Sequence, residues 1–468
     1  VTAKVPCELN SRIVQPTTVC RTPSRTAVGY QVDAGPISVL VKVLSRSMRS
    51  IFRALTSRNY RLFFIGQTLS LIGTWMQSVA MSWLVYRMTG SATLLGEVLF
   101  AQQIPMLLVS PFAGTVTDRV NKRRLLILTQ SLQAVQALIL AILVLSGTAM
   151  VWEIFALSVF VGIVNAFDNP GRQSFVIDMV QDRSLLPNAI ALNSTQFNIA
   201  SLIGPVIAGI TIHETGEGIC FLINAASFLA VILSLALIRP PTWKPPLGKA
   251  QPITDLREGL RYIKGHRPII ALLTLLSVVS FVRGFYQTLM PVYAKAVYHG
   301  NAVTLGHLYS GIGAGALVGA IMLASRKSVV GLGKWIVLSC AAFTTGLAVF
   351  AVSSNQWIGS GVLIFVGLGT MIHLASTNTL VQTLVADRVR GRVMSFYAMC
   401  FLGTMPVGSL LSGWIEQHVG PAVTLYIAVG VGAAATLGFG LFLPTFRRLV
   451  RPIYDERGIT EPASSPSG

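Results

Sequence analysis

The sequence predicts an all-α membrane protein: twelve transmembrane helices in two six-helix halves related by pseudo-symmetry. Three observations lead there. Mean hydropathy is +0.66 while only 11% of the residues are charged, a balance that polytopic membrane proteins show and soluble domains do not. Twelve separate segments are long and apolar enough to cross a bilayer, which takes about 20 residues of helix. Gly204, Gly209 and Gly216 also recur as Gly408, Gly413 and Gly420, each displaced by 204 positions. The pair Asp182–Arg183 recurs at Asp387–Arg388, displaced by 205. A six-plus-six parallel repeat is how transporters with two rocking halves are built.

In chain order the first six spans are expected at Leu62–Tyr86, Thr93–Val116, Leu125–Ser146, Val151–Asn169, Ala189–Ile212 and Ile219–Ile238. The second six are expected at Ile269–Tyr293, Leu305–Ser325, Trp335–Ser353, Ile358–Thr377, Met394–Ile415 and Val423–Leu443. Residues 1–47, polar, basic and lacking the apolar core of a signal peptide, read as a disordered extension. Residues 48–238 form the first half and 269–446 the second, with a tail over 447–468. Between the halves, 239–268 opens with RPPTWKPPLGK and continues into TDLREGLRYIKGH. That second stretch reads as a short amphipathic helix capped by Thr254, with Leu256, Leu260 and Ile263 on one face.

Charge orients the chain. The net charge of +19 is concentrated in alternate connections, among them Arg119–Arg124, Arg172 and Arg183, Arg239–Arg267, Arg326–Lys334 and Arg388–Arg392. Of the lysines and arginines, the intervening connections hold only Arg87 and Lys295. The positive-inside rule then places both termini in the cytoplasm, and it accounts for the basic composition without nucleic acid. The five cysteines show neither a C-x-x-C pair nor metal-ligand spacing, so no disulfide framework, metal or cofactor is expected. A G-x-x-x-x-G-K-[ST] loop is missing too, so nucleotide hydrolysis is not the direct driver.

The stretch AGTVTDRVNKRRLL (113–126) interrupts two long apolar runs with a dense charge cluster. Its pattern Gly114-x-x-x-Asp118-Arg119-x-x-Lys122-Arg123 resembles the signature loop between helices 2 and 3 of the major facilitator superfamily. Asn121 stands where that pattern usually has a second glycine, and asparagine tolerates a left-handed turn. The phrases FDNPGRQSFVIDMVQDRSLLPNAIALNSTQFNIASLIGPVIAGI (167–210) and DRVRGRVMSFYAMCFLGTMPVGSLLSG (387–413) sharpen the match. They look like the branch with bacterial enterobactin exporters and macrolide efflux proteins. The resemblance implies a conformational latch in which Asp118 faces the amino terminus of helix 11 near Arg392. It also implies a relay from Arg123 or Lys122 to an acid at the end of helix 4, the place Asp168 occupies. Helix dipoles favour an anion at such a terminus, whereas Lys122, Arg123 and Arg124 taken alone read as topogenic charge. Gly204-Pro205-x-x-Ala208-Gly209 resembles a helix 5 motif associated with antiporters, although close helix packing explains it equally well.

Apart from Glu153 and Asp168 at the ends of helix 4, two charges fall inside predicted spans, Glu97 in helix 2 and Arg283 near the middle of helix 7. Ionisable groups at membrane depth cost about 2.5–3.5 kcal/mol on insertion scales and mark functional pathways. Arg283 is a candidate for cargo or a counter-ion, and Glu97 for a proton-carrying acid that could equally reach the interface. Gln67, Ser70, Thr74 and Gln77 form a polar stripe on helix 1, to be read either as interhelical glue or as cavity lining. Family geometry puts helices 1, 4, 7 and 10 around the cavity, which adds Asn165, Gln287 and His373. His373 lies 205 positions after Asp168 and is the candidate counterpart of that residue.

These readings converge on a secondary active transporter of the bacterial cytoplasmic membrane. It is expected to act as a monomer and to export a small amphipathic, siderophore-like or drug-like molecule against protons by alternating access. An importer of the same fold is the nearest rival. A membrane-embedded enzyme would need clustered catalytic residues at membrane depth, and the sequence offers none.

Overall fold

A computed structural model of the chain describes residues 53–117, 119–180, 182–238, 252–326 and 328–459. Among them every regular element is helical. After a short 3₁₀ turn come α1 (Arg58–Thr89), α2 (Ala92–Thr117), α3 (Lys122–Leu145), α4 (Val151–Met179), α5 (Leu186–Thr215) and α6 (Glu217–Leu237). A linker helix (Pro252–Lys264) precedes α7 (Arg267–Val292), α8 (Ala302–Ala324), α9 (Leu332–Val352) and α10 (Gln356–Leu384). One long helix, Arg390–Glu456, turns back at Gly420 and so supplies both α11 (390–419) and α12 (421–456). Ten described helices are apolar and long enough to cross a membrane. The long helix counts once among them, and the polar stripe of α1 keeps that helix off the tally.

Helix ends follow local chemistry. Asn301 and Asn355 cap α8 and α10 by accepting from the backbone N–H groups two and three residues on. Asn121 does the same for α3, accepting from the Arg124 N–H at 3.2 Å. Its φ of −65° is not left-handed, so this asparagine serves as a cap rather than as a glycine substitute. Gly216 and Gly420 separate α5 from α6 and α11 from α12 with nearly the same torsions, φ 87° and ψ 171° against φ 80° and ψ 168°. That region is essentially reserved for glycine. The repeat read from spacing is thus a repeat of backbone geometry.

Several helices outrun their predicted spans. α4 continues to Met179 through Pro170, so Asp168 sits well inside the helix instead of at its end, and Arg172 is helical rather than a loop residue. α12 runs to Glu456, past the expected boundary at 446. The linker helix begins at Pro252, which makes Thr254 a helical residue and not the cap. Ile263 of that helix is buried, whereas Leu260 is exposed.

The side that holds the linker helix and the start of α1 is called the linker side, and the opposite one the far side. Large apolar side chains cover the outside of the bundle: Leu441 is 84% and Leu437 67% exposed. Soluble proteins rarely show apolar surface so extended. Trp152 and Trp357 are exposed at the far-side starts of α4 and α10, where interfacial tryptophans belong.

The halves meet through matched seams, α5 on α8 and α2 on α11. A Cβ at Gly209 would lie 2.8 Å from the Ala302 carbonyl oxygen, and one at Gly413 2.8 Å from the Thr93 Cα. These repeat-related glycines let backbones approach as only small residues allow. Thr93 Oγ1 donates to the Gly413 carbonyl at 2.9 Å, Ser310 Oγ donates to the Leu202 carbonyl at 3.1 Å, and Lys295 lies 5.8 Å from the Tyr86 ring centroid.

Candidate transport site

Arg283 is a partly buried charge near the middle of α7. Its Nε and Nη1 are buried without a hydrogen-bond partner, and its guanidinium lies 5.2 Å from the ring centroid of Phe401 on α11. His373 on α10 is 1% exposed and lies within the electrostatic reach of Arg283. Its Nδ1 is 3.3 Å from the Cys340 sulfur of α9, and its Nε2 is buried without a partner. Helices 7, 10 and 11 thus bring two predicted residues to one place. Cys340, on the apolar helix α9, is the neighbour that holds the imidazole. Nothing in its local sequence marks it.

Glu97 is partly buried on α2, next to Gly96, whose Cα faces the Ser409–Leu410 backbone of α11. Among the described residues no ion pair joins Glu97 to Arg283. Gln287 lies one turn beyond Arg283, and its carbonyl accepts from the Tyr309 hydroxyl at 3.4 Å. Asn165 is partly buried on α4, one turn before Asp168.

The α1 stripe divides. Gln77 donates to Gln136 of α3 at 3.1 Å and accepts from Asn224 of α6 at 2.8 Å, so it binds three helices together and does not line a cavity. Gln67 is 2% exposed, and its Oε1 has no partner. Thr74 is exposed and turns its hydroxyl back onto the Ser70 carbonyl at 2.8 Å.

Asp168 is 2% exposed, and its Oδ1 accepts from Thr129 Oγ1 at 2.7 Å and Gln130 Nε2 at 2.9 Å. Arg172 approaches the other oxygen at 3.9 Å. The expected pairing with Lys122 or Arg123 is not formed. Lys122 instead binds Asp178 at 2.8 Å, because α4 extends far enough to present that acid. Arg123 Nε donates to the Leu235 carbonyl at 2.7 Å and its Nη2 to Ala236 at 2.6 Å, capping the carboxyl end of α6. Sequence reading missed the glutamine stripe on α3, although Gln130, Gln133 and Gln136 recur every third residue. It also missed Glu217, which takes Arg87 bidentately at 2.6 and 3.1 Å on the far side. That pair joins the last turn of α1 to the first turn of α6, each charge placed where the helix dipole favours it.

At the charged loop, Gly114 lies within α2 and Arg119 in the exposed turn that follows, while Asp118 lies outside the described residues. Arg392, in the first turn of α11, pairs with Glu258 of the linker helix, which Arg388 also approaches at 4.0 Å. Tyr262 of that helix stacks on His266 with centroids 4.0 Å apart and accepts from the Ala386 N–H at 3.3 Å. The helix 5 motif is a packing surface. Ala208 is fully buried, a Cβ at Gly204 would meet Trp75 of α1 at 2.6 Å, and the Pro205 carbonyl faces Gly306 of α8.

In the loop that opens the way to α5, the Ser184 backbone N–H and hydroxyl both donate to Asp182 and hold its carboxyl below the usual carboxylate range. Arg390 pairs with Asp387, the residue that repeats Asp182 in the second half.

Known proteins share this architecture. The nucleoside transporter NupG superposes with a TM-score of 0.67 at 12% identity, covering 82% of this chain and 99% of its own. The staphyloferrin A transporter of Staphylococcus aureus is 29% identical over 358 residues, 75% of this chain and 88% of the relative. The multidrug efflux pump Tap of Mycobacterium tuberculosis is 26% identical over 407 residues, 83% and 94% of the two chains. The transmembrane secretion effector model matches residues 49–453, nearly everything described above. With that match, and with ten described helices apolar and long enough to cross a membrane, the chain belongs to that family and is a multi-pass transporter of the major facilitator fold, not an enzyme.

Proposed function

We propose that the protein exports a small amphipathic molecule from the cytoplasm in exchange for protons, by alternating access between its two halves. The observation that carries this reading is the pair of repeat-related seams, Gly209 on Ala302 and Gly413 on Ala92–Thr93. Two seams of one construction, on opposite sides of a pseudo-twofold, are what a rocking motion about a central site needs. Arg283 belongs to the cargo site in this reading, and Glu97 is the acid that carries the proton. Of the named relatives, the multidrug efflux pump favours export. The basic loops of the linker side favour a cytoplasmic location for both termini.

The latch at Asp118 is part of the proposal. Helices α2 and α11 run antiparallel, with Thr93 on Gly413, Gly96 on Ser409 and Leu107 on Gly403. The resemblance of the charged loop to the family's signature supports a latch between Asp118 and the amino terminus of α11 near Arg392. There the anion–dipole term is about 0.3–2 kcal/mol. Asp118→Asn should then raise cysteine labelling of the linker-side cavity and lower that of the far side; wild-type labelling on both sides would refute the latch.

The transport reading is tested by the accumulation of a macrolide and of staphyloferrin A in cells with and without the protein. Expression should lower accumulation, and a protonophore should restore it. Higher accumulation on expression would make the protein an importer.

A further inference from the structure

We infer that Arg283, His373 and Phe401 form a binding site for the carboxylate of an amphipathic organic acid, so that the cargo is anionic. This rests on the transport reading above and narrows it to a substrate class.

The argument begins with what the guanidinium lacks. A cation at membrane depth is normally paired, because desolvation without a counter-charge costs several kcal/mol. Arg283 meets no acid among the described residues, and two of its three nitrogens are buried without an acceptor. Phe401 covers one face by a cation–π contact but offers no lone pair. The missing partner is therefore an acceptor from outside the chain.

His373 narrows the chemistry. We take the tautomer in which the Cys340 thiol, 3.3 Å away, donates to Nδ1; the proton of the imidazole then sits on Nε2, a buried donor without an acceptor. Arg283 and His373 together thus present only donors. A cation would leave them unsatisfied, and an alcohol or amine would offer one or two lone pairs but no counter-charge, whereas a carboxylate accepts from both and neutralises the guanidinium. It can take two parallel N–H groups from one guanidinium edge and leave a lone pair for the imidazole. The Phe401 ring beside the guanidinium supplies an apolar wall for the body of such a molecule, and Tyr397 lies within the reach of the same charge. Ser376 and Thr377, one turn along α10 from His373, add buried hydroxyls without partners.

The test uses purified protein in phosphatidylcholine nanodiscs and equilibrium dialysis. The probes are 1-naphthaleneacetate, decanoate and cholate, each paired with its methyl ester. At least one acid should bind more tightly than its ester, by about 10- to 100-fold for the loss of charge-assisted bonds. Arg283→Gln should abolish that preference, and Arg283→Lys should weaken acid binding because lysine lacks the fork. If the glutamine variant does not fold, the lysine variant and His373→Gln carry the test, both with reduced preference for the acid. Equal binding of acid and ester, no binding by any probe, or a preference that survives Arg283→Gln would overturn the inference. Loss of acid binding when phosphatidylglycerol replaces half the lipid would also overturn it, assigning the site to a lipid anion. Dialysis needs neither a gradient nor a direction, so a failed efflux assay leaves this result standing, and the converse holds as well.

Discussion

Gly413→Ala should push the two halves apart on the far side without unfolding either. A Cβ in ordinary contact sits 3.4–4 Å from its neighbours, yet at this position it would lie 2.8 Å from both the Ala92 carbonyl carbon and the Thr93 Cα. Its neighbours are backbone, so no rotamer change can relieve the clash, and α2 must retreat from α11 by about 0.5–1 Å to restore contact. Overpacking of this kind costs about 1–3 kcal/mol. The cost falls only on conformations in which this seam is closed, so it shifts a two-state population by about 5- to 150-fold. Spin labels on Glu214 and Ser354, exposed far-side residues of opposite halves, would report the change as a longer distance distribution. Gly209→Ala should act in the same direction through the other seam. Gly438→Ala, where nothing lies within 4 Å, is the control and should leave the distances unchanged. Wild-type distance distributions in both seam variants, at unchanged melting temperature, would refute the reasoning by showing that the seams are slack.

Asp168→Ala should destabilise the first half by about 3–5 kcal/mol, since it strands Gln130 and Arg172 beside an emptied anion site; thermal melting in detergent checks this. Glu217→Gln should cost about 0.5–1.5 kcal/mol, modest because Arg87 is half exposed, and the loss should shrink in high salt when melting is repeated there. Arg123→Ala should fray the carboxyl end of α6, seen as faster amide hydrogen exchange around Leu235 and Ala236. Asp182 binds Ser184 more strongly when ionised. Its contribution is therefore full above the ordinary carboxylate range and fades only as pH falls through its lowered value. Ser184→Ala should move that titration upward in a carboxyl NMR experiment.

The apolar spans were legible because a bilayer demands long uninterrupted apolar helix, and little else looks like that. The ends were less so. Past Asn169 the sequence turns polar, yet α4 continues to Met179, since polar residues outside the hydrocarbon propagate a helix as well as apolar ones do. Arg283 stood out as a lone charge in an apolar run. His373 was reached only through the family's helix arrangement and Phe401 not at all, because both come from helices whose packing no local pattern records. The relay to Asp168 failed for a related reason. Lys122 found the nearer acid that the extended α4 supplied, and Arg123 found bare carbonyls at a helix end, and both outcomes depend on tertiary proximity.

The twin breaks at Gly216 and Gly420 have no side chain or backbone within 4 Å of where a Cβ would stand. Room is therefore not what reserves them; handedness is. A residue of the natural configuration is strained there however small it is, whereas its mirror image can adopt a positive φ without penalty. D-alanine placed at either position by semisynthesis should be accepted where L-alanine is not. These two turns constrain the chirality of a single carbon, twice, at the same place in each half.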